Sequence, residues 1–253
     1  MRVVSMVPSW TETLVECGCD VVGRTRFCIH PERVKQIPVV GGAKTISWDK
    51  VAALRPDVLL LDREENTRAM WEESPVEVFA THITSVDDIA PDLERLAVRL
   101  RCPALHETAG RWSLVARRPK TSLASWQELP GVVEWLLPPI GQAIGPYTYL
   151  IWRDPWMAIG AGTFIASMLS AAGLPGDQLC TGDSPSGNPR YPVIEPASLP
   201  PGTVLLASSE PYPFHRKRES LLGFERPAAI VDGEAFSWFG VRSLAFLEAA
   251  LAR

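Results

Sequence analysis

Residues 49–66, DKVAALRPDVLLLDREEN, predict a short helix, a proline stop, a buried strand and an acidic loop. Residues 196–212, PASLPPGTVLLASSEPY, repeat this order of elements. A further predicted strand follows each copy, at 76–81 and at 228–231. The duplication covers an order of elements and not one motif, and it therefore predicts two similar α/β lobes.

The predicted fold class is α/β, with two Rossmann-like lobes joined by a helical linker and a ligand cleft between them. We assign residues 1–100 to an N-terminal α/β lobe and residues 147–253 to a C-terminal α/β lobe. Residues 101–146 are expected to form a helical linker and a proline-rich insertion. One helix-periodic stretch, 85–100, leads into this region and a second, 104–116, lies at its start; regular structure is not predicted beyond them.

Local signals place several elements within the lobes. A strand is predicted at 2–7, followed by a helix in which Ser9 is the N-cap and Glu12 completes a capping box. The second lobe is expected to open with a strand at 147–152, and Thr163 is expected to cap a helix that ends before Gly173. A last helix at 241–252 would close the second core.

Composition excludes several classes of function. The chain has 253 residues, of which 46% are hydrophobic and 21% are charged, which is typical of a globular protein with one large core or two modest ones. Its formal net charge of −4 gives no basic surface for nucleic acid or for an anionic membrane. The longest apolar runs are too short to span a bilayer.

The start of the sequence and its cysteines bear on location. No secretory leader precedes the strand at 2–7, so the sequence as written predicts a cytoplasmic protein; removal of a leader would instead indicate the periplasm or cell surface. The cysteines form an odd, scattered set that is typical of a reducing compartment. They are Cys17, Cys19, Cys28, Cys102 and Cys180.

Taken together, the loops resemble those of class III periplasmic-type substrate-binding proteins, the helical-backbone metal receptors, and are most similar to the cobalamin-binding branch. The resemblance covers both lobes nearly end to end. It is carried by VPSWTETL at 7–14, VGRTRFCIHP at 22–31, LRPDV at 54–58, EEN at 64–66, LIWRDPW at 150–156, RYP at 190–192 and DGEAFSW at 232–238.

The resemblance implies non-catalytic binding of a corrinoid, or of a related metal chelate such as haem or an iron siderophore. No further cofactor is required. The protein would act as a carrier, scavenger or sensor, or as the solute receptor of an ABC importer. Exported members dock to the permease through one acidic residue on each lobe; Asp49 matches the first, but the second position is Ala197, with Glu195 two residues away.

Candidate ligand-binding residues lie at strand ends and in loops. Aromatic faces there could sandwich a flat macrocycle, and cationic side chains could hold groups at its rim. The alternatives are that the rings fill the lobe cores and that the cations are solvated. The set is Pro8, Ser9, Trp10, Arg26, Phe27, Lys44, Glu65, Trp152, Arg153, Trp156, Arg190, Tyr191, Glu210, Tyr212 and Trp238.

The same loops contain candidate residues for metal ligation and for catalysis. Cys28 and His30 could both reach a transition metal, and His30 is the choice for an axial ligand, although a buried cysteine and a structural histidine are the favoured explanation of the pair. Glu64, Glu65 and Glu210 could act as acid or base in an enzyme that modifies a corrinoid or another small molecule. Because no catalytic triad order, phosphate loop or HExxH motif accompanies them, we expect a protein that is not an enzyme.

Overall fold

The computed structural model describes residues 1–141, 143–181 and 188–252. The chain divides into two compact units. Unit 1 contains Met1–Arg117 together with Trp238–Ala245, and unit 2 contains Arg118–Ser237 together with Phe246–Arg253. Unit 1 therefore continues past residue 100, and a late segment of the chain returns to complete it.

Unit 1 is built on a mainly parallel sheet with the strand order β4-β3-β2-β1-β5-β6. Neighbouring strands pair in parallel, except that β4 runs antiparallel to β3. Their carboxyl ends therefore share one edge, where open α/β sheets bind ligands. The strands are β1 (Arg2–Ser5), β2 (Asp20–Thr25), β3 (Val39–Gly42), β4 (Thr45–Ile46), β5 (Val58–Asp62) and β6 (Val78–Thr81).

Helices cover this sheet, and β5 is buried along its whole length. A capping box forms at Ser85 and Asp88, ahead of the amphipathic helix α4 that the spacing of apolar residues predicts. The helices are α1 (Pro8–Glu16), α2 (Trp48–Leu54), α3 (Arg68–Glu72), α4 (Ile89–Leu100) and α5 (Pro103–Ala116).

Unit 2 has the strand order β7-β11-β10-β8-β9. The inner strands β8, β10 and β11 are parallel, and the outer strands β7 and β9 pair antiparallel to them. The strands are β7 (Val132–Leu137), β8 (Tyr147–Trp152), β9 (Met157–Ala158), β10 (Val204–Ser208) and β11 (Ala228–Val231). The remaining helices are α6 (Phe164–Ala171), α7 (Glu219–Leu222), α8 (Gly233–Ser237) and α9 (Val241–Leu251).

Three local expectations need correction. Within the expected insertion, Val132–Leu137 is a regular strand that pairs with β11. The second repeat has a single 3-10 turn, Pro196–Ser198, where the first has a helix, because Pro200 and Pro201 follow at once. The capping box at Ser9 and Glu12 does not form, since Val7 is the N-cap and Pro8 occupies the first turn of α1.

The described part of the chain contains no helix that is both long and apolar enough to cross a membrane.

Glu12, which does not form the expected capping box, joins α1 to residues 238–245, the late segment of the chain that completes unit 1. Its carboxylate accepts hydrogen bonds from Arg242 Nε at 2.9 Å and Arg242 Nη2 at 2.6 Å. Beside this pair, Val241 N donates to Thr13 Oγ1 at 3.1 Å, and a Cβ on Gly240 would lie 2.0 Å from the same oxygen. Trp112 Nε1 donates to the carbonyl of Gly240 at 3.0 Å. Residues 238–245 are therefore fixed on unit 1 by specific polar contacts.

The pair of Glu12 and Arg242 is expected to support the stability of unit 1. The side chain of Glu12 is 10% exposed, so Arg242→Ala leaves a nearly buried carboxylate without this partner. The free energy of unfolding should fall by about 2 kcal/mol, less than for a fully buried pair because Arg242 is partly exposed. Urea denaturation followed by circular dichroism measures the change.

The double variant Glu12→Gln with Arg242→Met should lose less stability than Arg242→Ala, because it buries no unpaired charge. Lys35→Ala, which removes an exposed pair with Glu32, should change stability by less than about 0.5 kcal/mol and serves as the control. Equal, small effects of Arg242→Ala and Lys35→Ala would show that the Glu12 contact contributes nothing.

Candidate functional site

The loops at the carboxyl edge of the unit 1 sheet are tied together through Asp62 and Asn66. Asp62 Oδ2 accepts hydrogen bonds from Thr81 Oγ1 at 2.6 Å and Ile83 N at 3.2 Å. Asn66 Oδ1 accepts from Asp62 N at 2.9 Å, and Asn66 Nδ2 donates to Met6 O at 3.2 Å and Ala43 O at 3.0 Å. The loops after β1, β3, β5 and β6 are therefore held in place by two buried side chains.

The electrostatics of Asp62 reflect its burial. Removal from water raises the pKa of its carboxyl above the ordinary value of 3.8, although the hydrogen bonds from Thr81, Glu64 N and Ile83 N oppose this. A group enclosed and satisfied in this way positions its neighbours.

Polar side chains surround this edge. Lys44 Nζ donates to the carbonyl of Glu64 at 3.4 Å, and the Glu64 carboxylate lies 3.0 Å from His82 Nε2. Lys44 is exposed and Glu65 is half-buried. The predicted candidates Lys44 and Glu65 thus lie in loops of the same sheet edge.

Arg26 and Phe27 form an exposed surface just after β2. The guanidinium carbon of Arg26 lies 4.8 Å from the centre of the Phe27 ring, in cation–π contact. A Cβ on Gly42 would come within 3.4 Å of Phe27 Cε2 and 3.5 Å of Arg26 Cζ, so the ring and the guanidinium lie close against a backbone without a side chain. Phe27 remains 47% exposed and can offer an apolar face.

His30 and Trp238 meet in unit 1. Their ring centres are 5.3 Å apart in an edge-to-face arrangement, and the guanidinium of Arg242 lies 5.4 Å from the centre of the Trp238 ring. Both rings are partly exposed. The structure therefore brings together two predicted residues that are far apart in sequence.

Other predicted residues of unit 1 are directed inward. Trp10 is fully buried: its Nε1 donates to Thr81 Oγ1 at 2.9 Å and its ring packs on Phe239 with centres 5.0 Å apart. Ser9 is buried beside it in α1, and Pro8 is half-buried. The alternative interpretation, that Trp10 fills the core, therefore fits its position. The sequence does not distinguish the two, because a tryptophan near a strand end can pack inward as easily as it can face a ligand.

Cys28 is enclosed as well. Its sulfur lies 3.1 Å from Thr11 Oγ1 and 3.2 Å from Thr25 Oγ1, and burial raises the pKa of the thiol. Across the described residues, no group of three or more histidine, cysteine, aspartate or glutamate side chains could hold a metal ion. Cys28 is therefore placed as a core residue, 2 positions from the partly exposed His30.

A row of aromatic rings runs along the carboxyl edge of the unit 2 sheet. Trp152 contacts Tyr212 edge to face at 5.5 Å, and Tyr212 contacts Phe214 at 4.6 Å. Phe214 stacks on Trp156 at 5.9 Å with an interplanar angle of 11°, and Arg153 lies 5.6 Å over the Trp156 ring. The row begins in the core, where Phe214 is fully buried, and ends at Trp152, which is 42% exposed.

Glu210 lies two residues after the end of β10, at the place that Glu64 occupies relative to β5. Ser237 Oγ donates to Glu210 Oε1 at 2.9 Å. Burial raises the pKa of the Glu210 carboxyl above the ordinary value of 4.5, the Ser237 bond opposes this, and the nearby carboxylates of Glu234 and Asp232 add to the rise. Glu210, Asp232 and Glu234 therefore form a cluster of acids at the unit 2 edge.

Arg190 and Tyr191 lie in a turn next to β9. Asn188 Oδ1 accepts from Arg190 N at 3.0 Å and from Tyr191 N at 3.2 Å, and Arg190 Nε donates to the carbonyl of Gly162 at 3.0 Å. A Cβ on Gly160 would lie 1.9 Å from the carbonyl oxygen of Pro189, so the close approach of these two segments requires glycine.

Sequence reasoning missed a pocket of about 480 Å³ beside the loop after β5. It is lined by polar residues of that loop and by Trp71 of α3, whose side chain is 46% exposed. Trp71 lies on a short helix and outside the repeated pattern. Because Trp71 is also distant from the carboxyl end of any predicted strand, it was not among the predicted binding residues.

Sequence comparison finds no matching family model. A vitamin B12-binding protein of Yersinia pestis (strain Pestoides F) is 30% identical over 101 residues, which are 38% of this chain and 36% of that protein. The same values hold for the vitamin B12-binding protein of Yersinia pseudotuberculosis serotype O:1b (strain IP 31758). The match thus spans little more than a third of the curated relatives' length.

Structural comparison covers nearly the whole chain. The periplasmic vitamin B12 binding protein BtuF of Vibrio cholerae superposes with a TM-score of 0.67 and 17% identity over 99% of this chain and 95% of its own. A periplasmic haem-binding protein from Pseudomonas aeruginosa gives 0.70 and 21% over 99% and 91%. An ABC transporter substrate-binding protein from Listeria monocytogenes EGD-e gives 0.68 and 12% over 98% and 96%. The expected two-lobe α/β fold of substrate-binding proteins is therefore confirmed.

The raised pKa of Glu210 predicts a pH-dependent contribution to stability. The folded protein holds this proton more tightly than the unfolded chain does, so the contribution is complete below pH 4.5 and is lost as the pH rises through the folded pKa. Glu210→Gln is neutral throughout, and its stability relative to the parent should rise over this interval. Urea midpoints between pH 4 and pH 8 measure the difference.

Glu219→Gln, at an exposed position on α7, is the matched control, and its urea midpoints should follow those of the parent at every pH. A constant difference between Glu210→Gln and the parent from pH 4 to pH 8 would contradict the raised pKa.

Proposed function

We propose that this protein binds a corrinoid, or a similar flat metal chelate such as haem, without catalysing a reaction. It would serve as a carrier or receptor for this ligand. The observation that carries this proposal is the set of aromatic and cationic side chains in the loops at the carboxyl edges of both sheets. Trp152 and Arg153 represent it in unit 2, and Arg26 and Phe27 represent it in unit 1. The fold shared with vitamin B12- and haem-binding proteins supports it.

The unit 2 aromatic row suits a flat ligand because it is rigid before binding. Trp152 is held edge to face by Tyr212, and Tyr212 rests on the fully buried Phe214. A ring fixed by packing loses little conformational entropy when a ligand stacks on it, and aromatic contacts add about 1 kcal/mol beyond area burial.

Unit 1 offers a second apolar and cationic surface. Phe27 is nearly half exposed, and Arg26 lies over its ring with the guanidinium free to turn toward a carboxylate or amide at the rim of a ligand. An axial contact to a chelated metal falls to His30, because the Cys28 thiol is enclosed between Thr11 and Thr25. Such a contact needs one residue and no protein metal cluster.

Binding without catalysis fits the carboxylates at these edges. Glu64 lies against His82, and Glu210 is held by Ser237 and is partly buried. Each is engaged by a neighbour. The enzyme alternative would need turnover that depends on one of them.

The test of ligand binding uses purified protein with cobalamin, cobinamide and haem. A shift of the visible bands and a calorimetric heat at micromolar ligand are expected for at least one of the three. Trp152→Ala should weaken that binding about tenfold, which corresponds to about 1.4 kcal/mol of lost stacking.

Val133→Ala, at an exposed site on the outer strand β7, is the control and should leave affinity unchanged. No response to any of the three ligands at high micromolar concentration would overturn the proposal. Equal losses of affinity for Trp152→Ala and Val133→Ala would show that the aromatic row does not contribute to ligand binding.

The receptor role for an ABC importer is favoured by two observations. Neighbours in structure include periplasmic proteins and an ABC transporter substrate-binding protein. Asp49 is exposed in the first turn of α2, as a docking residue must be. In this role the protein would work outside the cytoplasmic membrane, not in the cytoplasm.

The second docking position differs from that of exported relatives, because Ala197 stands where they carry an acidic residue. Ala197 is exposed on a 3-10 turn, and Glu195 Oε1 accepts a hydrogen bond from Ala197 N at 3.4 Å. The Glu195 carboxylate therefore lies beside the position where exported relatives carry their acid. We propose Glu195 as the substitute contact for the permease.

Reversal of these charges tests the receptor role. With a corrinoid ABC permease in liposomes, Asp49→Lys and Glu195→Lys should each lower the ligand-dependent stimulation of ATPase activity at least about fivefold, since each places like charges against permease arginines. Asp87→Lys, at another exposed acid of unit 1, should not. Full stimulation by both variants, with ligand binding intact, would leave the carrier role and exclude docking through these residues.

A further inference from the structure

Cys17, Cys19 and Cys102 meet at the amino edge of the unit 1 sheet, away from the loops proposed to bind ligand. Cys17 is the C-cap of α1, Cys19 directly precedes β2, and Cys102 is the N-cap of α5. Together they line a pocket of about 550 Å³. Each of the chain's five cysteines lies in the described part of the structure and carries a free thiol.

The contacts distinguish among these thiols. Cys102 Sγ donates to the carbonyl oxygen of Cys17 at 3.3 Å, so it touches the backbone two residues before Cys19. The Cys17 thiol is taken up by Thr108 Oγ1 of α5 at 3.6 Å. The Cys19 thiol lines the same pocket as Cys102, next to the backbone that Cys102 Sγ contacts. Cys19 and Cys102 are therefore the pair best placed to react with each other.

A metal site does not explain the cluster, because within the described residues no three such side chains are arranged to hold an ion. We propose that Cys19 and Cys102 form a reversible disulfide when the protein meets a low-molecular-weight disulfide such as oxidised glutathione. The Cys19 thiolate attacks a sulfur of the small disulfide and expels one small thiolate. Cys102 then attacks the mixed disulfide at the Cys19 sulfur and expels the second. Two protein thiols lose their protons, one S–S bond forms in the protein, and one small disulfide is reduced to two thiols.

This bond would close a long loop and tie the end of α1 to the start of α5. A cross-link over so many residues restricts the unfolded chain strongly and stabilises the folded one. It needs little movement of the backbone, because the Cys102 sulfur already lies against the Cys17–Cys19 segment.

The rate should be slow at neutral pH. Burial, and after it the contacts with Cys102, raises the pKa of the Cys19 thiol, and burial raises that of Cys17. Since the thiolate is the attacking species, the rate should rise about tenfold per pH unit between pH 7 and pH 9.

The experiment treats the folded full-length chain with excess oxidised glutathione. Two of the five thiols should be lost, with a Cys19–Cys102 cross-linked peptide in a non-reducing digest analysed by mass spectrometry. The melting temperature should rise by about 4 °C or more and return after reduction with dithiothreitol. Cys19→Ser and Cys102→Ser should abolish the cross-link, while Cys17→Ser and Cys180→Ser should retain it.

Peptide mapping of the parent protein decides the matter even if a variant folds poorly. A Cys17–Cys102 peptide as the product, retention of five thiols at equilibrium, or glutathione adducts without a cross-link would each overturn the proposal. The outcome is independent of ligand binding, because none of these cysteines belongs to the loops at the carboxyl edges.

Discussion

Strands β5 of unit 1 and β10 of unit 2 are buried along their whole length, and each carries its polar side chain at its carboxyl end. β5 and β10 are apolar until their last residues, Asp62 and Ser208, and both of these are buried. A buried polar group must find partners inside the protein. Asp62 finds them in Thr81 and Ile83, and the Ser208 hydroxyl donates to the carbonyl of Glu210 at 2.5 Å. The loops that follow are consequently fixed by the same residues that end the strands.

Where local sequence signals agreed with this constraint, they were sufficient to predict the secondary-structure elements. Strands β8 and β11 were predicted residue for residue, and Thr163 caps α6 as expected, its hydroxyl accepting from Ala166 N at 3.2 Å. The failures have long-range causes. Glu12 has the spacing of a capping box, but its carboxylate is taken by Arg242, a partner that no local window contains. Strand β7 was missed because prolines surround it and its pairing with β11 comes from a distant part of the chain.

For the candidate site, the sequence indicated the kind of residue but not its exposure. Trp10 and Trp152 both lie near strand ends, yet the first is fully buried and the second is 42% exposed. Arg24 and Arg26 are two residues apart, but Arg24 lies within β2 and Arg26 just beyond its end: Arg24 is buried and donates to the carbonyls of Val34 and Ile37, whereas Arg26 is exposed. Which way a strand-end side chain points depends on the residues packed around it, and these come from distant segments.

Charge at the unit 2 edge bears on which ligand the proposed function favours. Arg153 suits the carboxylates of a haem, since guanidinium groups pair with carboxylates in bidentate geometry. Glu210 lies with Asp232 and Glu234 and would repel such carboxylates. The amide side chains of a corrinoid meet both demands, because an amide N–H can donate to Glu210 and an amide oxygen can accept from an arginine. Since burial already disfavours the charged form of Glu210, an amide donor that stabilises that form would gain more there than in water. The mixture of charges therefore fits a ligand with neutral, two-sided hydrogen-bonding groups better than one with negative groups.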